Sequence, residues 1–120
     1  MRVLIVESHF ELGCLWERAL QRNGADVCFA RSQPEAVKAL MQDDFHIIVL
    51  DLVLKNGSAF AISDFANYRR PKARVVFVTN TSFCSDGSIF QHCSNACAYL
   101  QSETPPDDLV AMVEQYAERA

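Results

Sequence analysis

The residues of this chain that can do chemistry are acids and hydroxyls placed at or just after short apolar runs. Asp51 ends the unbroken run Ile47-Ile48-Val49-Leu50 and precedes Leu52-Val53-Leu54-Lys55-Asn56-Gly57-Ser58. Glu7 and Ser8 follow Val3-Leu4-Ile5-Val6, Thr79 follows Val75-Val76-Phe77-Val78, and Ser102 follows Tyr99-Leu100-Gln101. Runs of this kind read as strands buried on both faces, and Asn56-Gly57 reads as the turn that leaves the third of them. A carboxylate at the carboxyl end of such a strand faces the crevice in which open α/β sheets hold their chemistry. Taken alone, Asp51 would do no more than cap its turn. The acid and hydroxyls placed like it give it weight.

Other chemistries do not find their residues. His92, Cys93 and Cys97 invite a metal reading, but no CxxC pair accompanies them, so zinc is unsupported. A Ser-His-Asp hydrolase needs glycines around its serine to form a nucleophile elbow, and no serine here has them. The four glycines never form a phosphate-cradling loop. His9 follows Glu7-Ser8 at the start of a helix and could touch the pocket rim, but a solvated ring is the expectation there. Lys55 reads as an exposed loop lysine that could still reach the crevice.

The elements that must position these groups alternate along the chain. Arg2–Val6 is a strand, and Phe10–Arg22 is a helix with Leu12, Leu15, Trp16, Ala19 and Leu20 at helical spacing, closed by Asn23-Gly24. A second strand covers 25–30. Ser32-Gln33-Pro34-Glu35 then combines a capping box with a first-turn proline, opening a helix expected to bury Ala36, Val37, Leu40 and Met41. The third strand spans 46–51, and a helix over about 58–68 is expected to bury Phe60, Ala61 and Phe65. A fourth strand ends at Thr79. Residues 82–94 are the least regular and suggest a short helix, 96–100 a fifth strand. Thr104-Pro105-Pro106-Asp107 starts a last helix with Leu109, Met112, Val113 and Tyr116 on one face. Such alternation implies a parallel sheet with helices on both faces.

Composition sets the limits. The 120 residues suit one domain; half are hydrophobic and 22% charged, as in ordinary soluble proteins. A net charge of −4 and a pI near 5.2 argue against nucleic acid and anionic membrane as partners. The one cationic cluster, Arg69-Arg70-Pro71-Lys72, falls where a helix should stop and reads as solvated helix-end charge. No run is long enough to span a bilayer, and the N-terminus lacks the form of a signal peptide. Five cysteines without a framework suit a reducing cytoplasm.

The order Glu7-Ser8, Asp51, Thr79, Ser102 resembles the receiver domain of two-component response regulators over essentially the whole chain. The residues that carry the resemblance are Val3-Leu4-Ile5-Val6-Glu7-Ser8, the stretch from Val49 to Ser58, Val75 to Thr79, and Asn95-Ala96-Cys97-Ala98-Tyr99-Leu100. The resemblance implies a flavodoxin-like (βα)5 doubly wound sheet with strand order 2-1-3-4-5. It implies that Asp51 is a phosphoacceptor charged from a kinase phosphohistidine, Thr79 the hydroxyl that contacts the phosphoryl group, and Tyr99 the aromatic that changes position with activation. Glu7, Asp51 and the Val53 backbone carbonyl would hold Mg2+. The chemistry is coherent, because a phosphoryl group in transfer carries charge that a metal, a cation and a hydroxyl must meet.

Two positions depart from the family pattern. Ser8 stands where a second acid is usual, which weakens Mg2+ binding, and Ser102 stands where a lysine is usual, with Glu103 after it. Losing that ammonium removes a charge-assisted bond to phosphate worth ~1.5–3 kcal/mol. The resting site loses one charge of each sign, so it need not be electrostatically strained by the change. Two functions follow: a stand-alone receiver in a phosphorelay, or a pseudo-receiver that docks to partners without phosphorylation. Neither is an enzyme. The expected arrangement is a single domain over 1–120, cytoplasmic and without an output domain. Its partner would be a histidine kinase, a phosphotransfer protein or another signalling protein. The docking face would combine the short helix of 82–94, the fifth strand and the last helix. Receiver-like domains pair through that face, which makes a homodimer an option the sequence does not itself argue. A small flavodoxin-like protein binding FMN lacks its phosphate loop here.

Overall fold

The computed structural model describes residues 1–79 and 95–118. Strands β1 (Arg2–Val6), β2 (Asp26–Ala30), β3 (Ile47–Asp51), β4 (Arg74–Thr79) and β5 (Ala96–Gln101) form one parallel sheet in the order β2-β1-β3-β4-β5. Helices α1 (Phe10–Arg22), α2 (Gln33–Gln42), α3 (Ala59–Arg69) and α4 (Pro106–Glu118) connect or follow them. This is the doubly wound flavodoxin-like architecture expected from the sequence. The short helix expected over 82–94 lies outside the described residues, as do His92 and Cys93.

The apolar runs form strands because helices cover them on both sides. Leu4 and Val6 of β1, Ile48 and Leu50 of β3, and Val75 and Phe77 of β4 pack with α2 and α3 on one face. Val3 and Ile5, Ile47 and Val49, and Val76 and Val78 point the other way, onto Trp16, Ala19 and Leu20 of α1 and Leu109, Val110 and Val113 of α4. Burying each such side chain contributes about 1.5–3 kcal/mol, so the central strands hold the sheet. Every residue of β3, Asp51 included, is buried.

The helix ends follow the sequence signals. Ser32 accepts the Glu35 backbone N–H, and Glu35 reaches back to the Ser32 hydroxyl and the Arg31 N–H. Ser58 caps α3 through the Ala61 N–H at 3.2 Å. Asn23 closes α1, and Gly24 takes a φ of 90°.

The buried faces depart from expectation at specific residues. Met41 is 54% exposed and Phe60 42% exposed; α3 instead buries Ala59, Ile62, Ser63 and Ala66. Apolar residues run nearly all round α3, so two stripes compete, and the one with small alanines comes closest to the sheet. Leu15 is exposed as well, because α1 turns Gly13, Trp16, Ala19 and Leu20 inward. Gly13 makes that approach possible, since a Cβ there would run into the Phe29 ring. Buried Ser63 donates to Asn95 Oδ1 at 2.9 Å, and Asn95 Nδ2 donates back to the Ser63 carbonyl at 3.1 Å, joining α3 to the start of β5.

Candidate functional site

The strand order decides which side chains meet. With β1 between β2 and β3, the ends of all three strands open onto one crevice. Glu7 leaves β1, its backbone fixed by an N–H bond to the Ala30 carbonyl at 3.1 Å. Asp51 ends β3, and the next residue, Leu52, donates its N–H to the Val78 carbonyl at 2.8 Å. The sheet thereby holds both acids at its edge by backbone bonds alone.

A cavity of about 650 Å³ lies over this edge, lined among others by Glu7, Ser8, Asp51, Lys55 and Ser102. Glu7 is 1% exposed and Asp51 6%. Asp51 Oδ1 accepts the Val53 backbone N–H at 3.1 Å. Burial pushes the Asp51 carboxyl up to about 7; the hydrogen bond and charge of Glu7 add to the rise, while the Val53 N–H and His9 oppose it.

His9 does more than the sequence suggested. Its ring is 62% exposed, yet Nδ1 lies 3.0 Å from Glu7 Oε1, which also accepts the His9 backbone N–H at 3.0 Å. One donor atom each from Glu7, His9 and Asp51 fall within 4.8 Å of one another. Two carboxylates and an imidazole in that space fit a divalent cation. Ser8 holds a different post, for its hydroxyl accepts the Lys55 backbone N–H at 2.9 Å. Val53 lines the cavity.

Thr79 is buried at the end of β4, and its carbonyl accepts the Ser102 N–H at 2.8 Å. It does not line the cavity, whereas Ser102 does. Tyr99 lies on β5 in register with Phe77 and packs against the core on the α2–α3 side. Glu103 is exposed. Lys55 is exposed and lines the cavity, so the solvated and pocket-facing readings both hold. Cys97, drawn into the weak metal reading, is half-buried; its thiol donates to the Val75 carbonyl at 3.5 Å, and burial pushes its pKa up to about 11.

Sequence reasoning missed Arg31. It follows β2, lines the cavity, and stacks its guanidinium 5.1 Å from the centroid of the Phe10 ring. The signal was available: strand order 2-1-3 places the end of β2 beside that of β1, so the residue after β2 belongs to the same edge.

No family model and no curated protein matches the sequence. Solved structures do match. A receiver domain protein (CheY-like) from Methanospirillum hungatei superposes with a TM-score of 0.89 at 19% identity, covering 98% of this chain and 94% of that one. The response regulator TrrA from Thermotoga maritima, solved with Mg2+ and beryllofluoride, gives 0.82 at 19% identity over 96% and 97%. A response regulator from Burkholderia pseudomallei, solved with a phosphorylated aspartate and a calcium ion, gives 0.83 at 23% identity over 98% and 69%. The fold is therefore an open, doubly wound α/β sheet with its crevice at the strand ends. More specifically, it is the CheY-like fold of response-regulator receiver domains.

Proposed function

We propose that this chain is a receiver-type signalling module in which Asp51 accepts a phosphoryl group from a partner's phosphohistidine. One observation carries the reading: a nearly buried aspartate at the end of the central strand opens onto a cavity whose walls include Arg31 and Lys55. In the transfer a carboxylate oxygen of Asp51 forms the new bond to phosphorus as the bond to the partner's imidazole nitrogen breaks. The partner is thus a histidine kinase or phosphotransfer protein, and the module acts by protein contact rather than as an enzyme.

The chain's own residues divide the work. Asp51 must be ionised to attack, a form that the Val53 N–H and His9 favour, and Arg31 and Lys55 on the rim then meet the phosphoryl oxygens. Lys55 and Arg31 stand in for the lysine that Ser102 replaces. Thr79, buried at the end of the neighbouring strand and off the cavity wall, would supply its hydroxyl only on turning toward the phosphoryl group, and Tyr99 reports the change to the β5 surface. A divalent cation, when bound, neutralises charge on the phosphoryl oxygens; Glu7, Asp51 and the Val53 carbonyl would hold it. Among the described residues no helix is long and apolar enough to cross a membrane.

A second reading, phosphorylation-independent docking, draws on Ser8 and Ser102. Both line the cavity with neutral hydroxyls, and that of Ser8 is engaged by the loop after β3. Amide NMR spectra with Mg2+ and beryllofluoride, on the protein and on Asp51→Asn, separate the two. Shifts at Asp51, Thr79 and Tyr99 that vanish in the variant are expected. Spectra unchanged at millimolar Mg2+ would leave the docking module.

A further inference from the structure

The strongest unassigned feature is the imidazole of His9. It sits at the N-cap of α1 but makes no capping bond with its side chain. The ring turns back instead toward buried Glu7, and Nδ1 stands 3.0 Å from Oε1. Two ligand atoms at adjacent positions of an octahedral ion with bonds of about 2.1 Å are themselves about 3.0 Å apart. The pair is thus already spaced as neighbouring ligands, and Asp51 completes the group within 4.8 Å. Ser8, which also lines the cavity, accepts the Lys55 N–H.

We infer that His9 is a metal ligand, and that Glu7, His9 and Asp51 form a mixed nitrogen–oxygen site that selects a first-row transition cation over Mg2+. The chemistry follows from the donors. Mg2+ is hard, holds its water and takes oxygen ligands, whereas Co2+, Ni2+ and Zn2+ bind imidazole well. With the ring proton on Nε2, the Nδ1 lone pair faces the ion, and the exposed edge of the ring keeps Nε2–H in water. Glu7, fixed by the His9 backbone N–H, orients the loop that carries the ring. Arg31 and Lys55 on the rim oppose any cation equally, so they lower affinity without altering the choice among divalent ions. The inference rests on reading this pocket as the cation site of the proposed receiver.

Co2+ and Mg2+ are the probes, titrated calorimetrically and by NMR into the protein, His9→Gln and Asp51→Asn. Co2+ should bind at least ~10-fold tighter than Mg2+ and give a contact-shifted imidazole resonance. His9→Gln should abolish that resonance and lower Co2+ affinity until it comes within about threefold of that for Mg2+. Asp51→Asn should weaken both ions. Equal affinities in the unaltered protein, or a Co2+ preference that survives His9→Gln, overturn the inference; the latter would place Co2+ on other donors such as a cysteine. Beryllofluoride separates the two ideas. An adduct forming equally with either metal and indifferent to His9→Gln keeps the phosphoacceptor and discards the ligand. Co2+ binding through His9 with no adduct in either metal does the reverse.

Discussion

The hydroxyl of Ser8, just after β1, accepts the backbone N–H of Lys55, in the loop after β3, at 2.9 Å. Ser8 therefore acts as a tether between two loops on the rim of one cavity. Its substitution can be read in two directions. Ser8→Ala removes the acceptor, and the partly exposed bond should cost about 0.5–1 kcal/mol in denaturant unfolding. Ser8→Asp keeps an acceptor in reach of Lys55 and adds a carboxylate. It should tighten Mg2+ binding by roughly tenfold or more by calorimetry. Unchanged Mg2+ affinity would mean that the new acid does not face the ion.

The raised pKa of Asp51 carries a stability signature of definite sign. The native carboxyl holds its proton up to about 7, while an unperturbed aspartate loses it near 3.8. The native state thus binds the proton more tightly than the unfolded chain. Stability from this group is fully present below the unfolded value and is lost as pH rises through 7. Asp51→Asn has no charge to bury and should be more stable than the parent at pH 8. Water in the open cavity discounts the difference to on the order of 1–2 kcal/mol. The gain should shrink as pH falls toward 4, which urea melts at several pH values in metal-free buffer will read. A gain independent of pH would remove the ionisation argument.

Gly57 is held at φ 129°, and a Cβ there would collide with the Gln33 side chain. Gly57→Ala should therefore destabilise by about 1–3 kcal/mol. The loop carrying Lys55 would also shift, so its amide resonances should move more than those of β5. Full stability in the alanine variant would mean that the turn can relax at no cost.

The Ser63–Asn95 pair predicts a buried polar penalty. Ser63→Ala withdraws the donor to Asn95 Oδ1 in a site where Ser63 itself is almost fully buried. A loss of about 1–2 kcal/mol is expected. Asn95→Ala alone should cost a similar amount, and the double variant less than the sum, since the two singles break one network. Simple additivity would dissolve the pair as a unit.

How much of this was legible depends on range. Three central apolar runs, the Ser32–Glu35 box and the Asn23-Gly24 stop are local signals, and each sits in the structure within a residue or so of its place in the sequence. Asp51 and Glu7 were legible because a strand end fixes them at the crevice whatever else happens. The faces of α2 and α3 were not, since Met41 and Phe60 compete with alanines that only tertiary packing can favour. His9 and Arg31 escaped for different reasons. His9 acts through a ring turned back two residues, which no spacing rule reports. Arg31 needs the adjacency of β2 and β1, which places the end of an edge strand beside the acids. The Ser63–Asn95 contact joins residues far apart in sequence, and nothing local marks it.

The loop that follows Asp51 is pinned on both flanks. Lys55 is tied to Ser8, just ahead of α1, while the Asn56 carbonyl accepts the Gln33 N–H and the Ser58 N–H is held by the Gln33 side chain, at the start of α2. Helices α1 and α2 lie on opposite faces of the sheet. The loop is thus a crossbar spanning the rim, and it leaves little slack for strain at Asp51 to be absorbed in place. A displacement of the bar pulls on the roots of two helices at once, so a disturbance at one carboxylate has a mechanical route to both sides of the molecule.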